Sequence, residues 1–197
     1  MTNTRSARYP TEGGITVYRA SIVADYEHAA DELKAALDDQ RGVLFSSGVE
    51  FPGRYSRWYI GCVKPPLALC LARQLPVFGV CLGLQGIVEY FGGSLATLAM
   101  PVHGKSSQII EAAGAMFAGI ELPLTLGRHH TLVTDQVSDC LQITARTEDG
   151  SVMAIEHVYL PVSAVQFHLE SILSLAGEKG AKIIGNVMRH VTMRRAA

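Results

Sequence analysis

The chain has 197 residues and a formal net charge of −1, with 17 Lys and Arg against 18 Asp and Glu. That balance leaves no basic excess to neutralise a phosphate backbone, which excludes a general nucleic-acid binder. Apolar residues at 48% and charged residues at 18% exclude a disordered chain and provide for a packed core.

The most apolar stretch, LPVFGVCLGL at 75–84, is far short of the ~18–20 residues of a membrane span. The first residues, MTNTRSARYPTEGG, lack the apolar run of an export signal. The cysteines at 62, 70, 81 and 140 form neither a C-x-x-C pair nor a zinc spacing. The expectation is a cytoplasmic chain with free thiols, no metal site and no membrane contact.

In chain order, Ile15–Arg19 alternates as a strand after Gly13-Gly14, and Tyr26–Asp39 carries the apolar face of an amphipathic helix. Gly42–Ser46 is a short apolar strand, and the aromatic-rich SSGVEFPGRYSRWYIG after it reads as a packed surface loop. Leu75–Val80 is apolar throughout, as a strand buried on both faces of a parallel sheet would be. A helix follows from Leu84 to Phe91 and stops at Gly92-Gly93. His103-Gly104-Lys105 falls in a polar turn after Pro101. Short strands come at Leu132–Thr134, Leu141–Ala145, Val152–Glu156 and Val162–Phe167, and a last helix at Gly180–Met193 has Ile184, Val187, Met188 and Val191 on one face. The pattern is α/β.

Gly79-Val80-Cys81-Leu82-Gly83 has the form G-x-nucleophile-x-G at a strand-to-helix junction. Such an elbow holds its central residue in a strained turn, and the glycines remove Cβ atoms that would clash. It points the sulfur at a helix N-terminus, whose unpaired N–H groups favour thiolate and oxyanion. On the pentapeptide alone, a buried structural cysteine fits as well. A nucleophile needs a base, and the base needs orienting. Gln166-Phe167-His168-Leu169-Glu170 supplies both at a strand end, because residues i and i+2 share a face. The two motifs serve each other only if their strands are neighbours.

LPVFGVCLGLQGIVEYFGG, PVHGKSSQI, GRHHTLV and VMAIEH with PVSAVQFHLES resemble the class I (triad-type) glutamine amidotransferases. The likeness is closest to the amidotransferase component of anthranilate synthase in its fused form. It implies a partial flavodoxin-like sheet, a Cys81 nucleophile, a His168 base and Glu170 as the orienting acid. It further implies Leu82 N–H at the oxyanion, and Gln85 with the loop at His130-Thr131 around a bound L-glutamine. Leu169 stands where the family typically has proline.

Residues 1–73 form a small α+β segment that, over 1–72, resembles the N-terminus of the synthase component, with Ser46, Ser47 and Glu50 as remnants of its feedback pocket. Residues 74–197 are the amidotransferase-like domain. The chain thus reads as a fused enzyme without its middle, lacking the family's opening β-α-β and its PGPG-type oxyanion loop. GVLFSSGVEFPG, a strand followed by glycine, is the one candidate to stand in for that loop. The implied function is glutamine hydrolysis, with ammonia delivered to a separate chorismate-binding synthase through a contact at His103, Gly104 and Lys105. Mg2+ is expected only in that partner. Two alternatives stay open: a non-catalytic module binding a synthase or glutamine, and a para-aminobenzoate or phenazine-type amidotransferase.

Overall fold

The computed structural model describes residues 7–10, 16–19, 43–45, 55–169, 171, 174 and 179–194. The helix expected at 26–39 lies outside them, as do Ser46, Ser47, Glu50 and Glu170. Strands β1 (Ala7–Pro10) and β2 (Thr16–Arg19) form an antiparallel pair, Ala7 opposite Arg19. The main sheet contains β3 (Val43–Phe45), β4 (Val77–Val80), β5 (Ser94–Ala112), β6 (Leu124–Gln136), β7 (Leu141–Thr147), β8 (Val152–His157) and β9 (Val162–Val165). Its order is β3-β4-β9-β8-β7-β5-β6, parallel across β3, β4 and β9 and antiparallel from β9 onward. The α/β expectation holds.

Alternation along the central strands feeds two cores. Val77, Ile155, Val162 and Ala164 pack with Leu67 and Cys70 of helix α1 (Tyr55–Ala72) and with Leu84, Ile87 and Val88 of α2 (Leu82–Tyr90). Their neighbours Phe78, Val80, Met153, Ala154 and Val165 pack with Ile183 and Val187 of α3 (Lys179–Arg194). Every residue of β4 and β9 is buried, as a parallel strand with helices on both faces requires. Each large apolar side chain so buried contributes ~1.5–3 kcal/mol.

Three expectations are corrected. Tyr55–Gly61 is not loop but the start of α1, which buries Val63, Leu67 and Cys70 at helical spacing and carries Pro65 and Pro66 inside it. On α3, Ile183 is buried and Ile184 is 44% exposed, so the core face is turned by one residue from the one expected. His103-Gly104-Lys105 and His130-Thr131 lie in strands rather than loops, because β5 and β6 form one long hairpin. No helix among the described residues is long and apolar enough to cross a membrane.

Candidate active site

Cys81 sits between β4 and α2 with φ 53° and ψ −100°. A non-glycine residue at positive φ costs on the order of 1–3 kcal/mol and persists only where its surroundings hold it. Here its N–H donates to Val165 O at 2.7 Å, and its carbonyl accepts the first helical bond, from Gln85 N–H at 3.2 Å. Gly79 closes the turn through its lack of a side chain. A Cβ there would lie 2.8 Å from both the Gly83 carbonyl carbon and Ile87 Cδ1. Leu82 is the first residue of α2, where a helix leaves its N–H groups without intrahelical partners.

The neighbour relation that the two motifs require is present. β4 pairs in parallel with β9, Val80 opposite Val165, so Cys81 and the Gln166–His168 segment leave the sheet side by side at its carboxyl end. In open α/β sheets this end is where ligands bind. His168 is tied to β6: its N–H donates to Gly127 O at 3.0 Å. Ser174 braces the same point, donating from Oγ to His168 O at 2.5 Å and accepting from Gly127 N–H at 3.0 Å. Leu169 is buried with Phe167 in the α3-side core.

Strand β6 contributes the next layer. The Cys81 thiol donates to His129 O at 3.7 Å, and the His129 ring stands edge-on to those of His168 and His103, with centroids 6.4 and 4.5 Å apart. His103 faces His129 across the β5–β6 pairing, its Nε2 3.2 Å from Thr131 Oγ1. The register shifts between His103 and Lys105, and Gly104 at φ 61° is the residue of that bulge.

His130, the next residue along β6, is fully buried. Its Nε2 accepts from Arg128 Nε at 2.9 Å, so the ring proton is on Nδ1, which donates to Leu132 O at 2.7 Å. Burial, reinforced by the Arg128 charge, pushes its pKa down to about 4. Arg128 is itself buried and reaches Ser107 Oγ at 3.2 Å and Asp149 Oδ2 at 3.4 Å. Partial burial works against the Asp149 carboxylate. Hydrogen bonds from Thr147 and Ser151 and the Arg128 charge outweigh it and hold the carboxyl well below its usual range.

Gln85 and Gln166 are buried beside the sulfur. Gln85 Nε2 is 3.2 Å from Leu132 O and from Gln166 Oε1, and Gln166 Nε2 is 3.5 Å from Cys81 Sγ. Sequence reasoning passed over Gln166, although it stands two residues before His168 in the segment that follows β9. By contrast, Cys70 is an inert core thiol whose pKa burial pushes up to about 12, against the opposing charge of Arg73.

Fold and site together define an α/β protein with a cysteine elbow at the carboxyl end of β4, beside the histidine-bearing segment that follows β9. A family model for class I glutamine amidotransferases matches residues 13–187, and the chain belongs to that family. It is 51% identical over 160 residues to an anthranilate synthase of Azospirillum brasilense, covering 79% of this chain and 21% of that one. It is 39% identical over 117 residues to an aminodeoxychorismate synthase component 2 of Klebsiella aerogenes, covering 58% and 61%. The chain therefore spans about a fifth and about three fifths of these relatives' lengths. A crystal structure from Thermoplasma acidophilum, provisionally assigned to GMP synthase, superposes with a TM-score of 0.73 at 21% identity, covering 85% of this chain and 80% of that one.

Proposed function

We propose that this chain hydrolyses glutamine and hands the ammonia to a chorismate-binding synthase of the anthranilate type, in tryptophan synthesis. The observation that carries the reading is the strained elbow at Cys81, set beside the His168 strand end.

In this mechanism His168 takes the Cys81 proton, and the sulfur attacks the side-chain amide carbon of glutamine. The tetrahedral oxyanion forms over the first turn of α2, where Leu82 N–H donates to it. His168 returns the proton to the departing ammonia, and Glu170 orients the imidazole. Water then cleaves the γ-glutamyl thioester to glutamate and regenerates the thiol. Gln85 and the His130-Thr131 stretch border the bound glutamine. His103, Gly104 and Lys105 form the contact with the synthase, where an exposed bulge at Gly104 breaks the sheet's regular outline.

Two observations favour an anthranilate-type partner over an aminodeoxychorismate one. The higher identity is to the anthranilate synthase, and it extends over 79% of the chain against 58%. The decisive experiment is a glutaminase assay with a γ-glutamyl diazoketone affinity label, on wild type and Cys81→Ala, with and without an anthranilate-type synthase. Labelling at Cys81 with turnover is expected. No labelling in either setting would leave a non-catalytic binding module.

A further inference from the structure

Gln85, Gln166 and Cys81 form a line of buried polar groups whose direction can be fixed. The Leu132 carbonyl can only accept, so the Gln85 atom 3.2 Å from it is the amide nitrogen. That nitrogen's second hydrogen lies toward Gln166, 3.2 Å away, whose facing atom must then be its oxygen. The Gln166 NH2 group is left turned to the sulfur, 3.5 Å from it. Gln85 is 3% exposed and Gln166 fully buried, so water does not compete for these groups.

Two of the sulfur's neighbours consequently oppose each other. The His129 carbonyl, at 3.7 Å, accepts from the thiol and has nothing to offer a thiolate. The Gln166 N–H donates to sulfur, and a hydrogen bond to the ionised form favours that form.

The geometry points to Gln166 as a further catalytic residue that stabilises the Cys81 thiolate, with Gln85 as the positioning residue that keeps its NH2 group aimed at the sulfur. On ionisation the thiol proton leaves the His129 carbonyl for the His168 imidazole, and the Gln166 N–H remains as a hydrogen-bond donor to the sulfur. The inference rests on the reading of Cys81 as the nucleophile. It gives Gln85 a role besides bordering the glutamine: its two N–H groups are committed within the protein, one to Leu132 and one to Gln166.

Among the described residues, the titratable groups on the elements around Cys81 are His168 beyond β9, Arg128, His129, His130 and Asp135 on β6, His103, Lys105 and Glu111 on β5, and Glu89 and Tyr90 on α2. Glu89 of α2 is paired with Lys64 of α1 at 3.2 Å. None of these is altered by the variants that test the idea.

Thiolate absorbance at 240 nm is titrated between pH 5 and 10 for the full chain, Gln166→Met and Gln85→Met. The titration of each Cys81→Ala counterpart is subtracted, which isolates this one cysteine. Losing a donor to a charged group is worth about one pKa unit. Gln166→Met is expected to raise the Cys81 midpoint by about that much. Gln85→Met, which leaves the Gln166 amide free to turn over, raises it by less.

A merely structural Gln166 would lower the melting temperature and leave the midpoint in place. If Gln166→Met gives no cooperative melt, Gln85→Met decides alone. Midpoints equal to wild type in every folded variant overturn the inference. A Gln166-dependent midpoint in a chain without glutaminase activity would instead sink the proposed function and leave the donor role standing.

Discussion

The parallel strands β3, β4 and β9 and the β5–β6 hairpin are built on different terms. In β4 and β9 every residue is buried, and the strands are short, regular and covered by helices. In β5 only Leu95 and Ile109 are buried along 19 residues, and the pairing with β6 shifts register three times. The first region fixes the sulfur, since a strained elbow needs rigid walls. The second surrounds it with polar groups: the His129 carbonyl, the Thr131–His103 pair and the neutral His130. Damage to the first should therefore appear in catalysis and packing, and damage to the second in the response to pH.

The comparison is broken most directly at Cys81. Cys81→Ala is expected to lower glutaminase kcat by about 10³-fold or more, since no second nucleophile among the described residues is positioned in its place. Steady-state ammonia release with an unchanged thermal melt checks it. Equal activity would remove the parallel half's claim on the chemistry.

The hairpin is tested through His130. Its folded pKa of about 4 lies below the ordinary value of 6.5, so the unfolded chain binds a proton first as the pH falls. The stability this group provides is complete above about pH 6.5 and is lost as the pH falls toward 4, by ~3 kcal/mol. Urea midpoints at pH 7 and 4.5 should show that drop in wild type and a much smaller one in His130→Asn. The Asp149 contribution has the same sign but disappears only at lower pH, below the ordinary carboxylate range, which keeps the two windows apart.

Gly79→Ala sharpens the packing side. The added methyl meets Gly83 and Ile87, both on α2, and the strain should cost about 2 kcal/mol, or roughly 4–8 °C in Tm. Differential scanning fluorimetry measures it, and kcat should fall with it as the elbow is pushed off its geometry. The smallest effect is expected at the partly exposed Lys64–Glu89 pair between α1 and α2. Lys64→Ala should change stability by less than ~1 kcal/mol in chemical denaturation.

The rigid region was legible in the sequence and the hairpin was not. Leu75–Val80 announced itself through an unbroken apolar run, and Gly79 and Gly83 marked the elbow, because close packing there leaves no room for side chains. The place of His168 just past a strand was legible from the strand-like run at Val162–Val165 before it. The β5–β6 hairpin escaped because its residues from Leu98 to Gln108 are all at least partly exposed, so no period-2 burial imprints an alternation on them. Pro101 and the His-Gly-Lys run then read as a turn. Helix α1 was hidden by Pro65 and Pro66, residues that usually end helices. Gln166 was missed for another reason: a buried amide acquires its role from partners far along the chain, and no local pattern encodes them.

That remoteness governs how the protein comes to exist. Cys81 and Gln166 are 85 residues apart, and β4 lies between β3, which precedes it, and β9, near the end of the fold. A chain emerging from the ribosome exposes its elbow thiol with one sheet neighbour while the whole hairpin is still being made. Contacts of such long range fold slowly, since the loop between them must close before any contact is rewarded. The site is thus completed only after the chain has run from β4 through to β9. Until β9 docks, Cys81 lacks the Val165 carbonyl that takes its N–H and the Gln166 amide beside its sulfur.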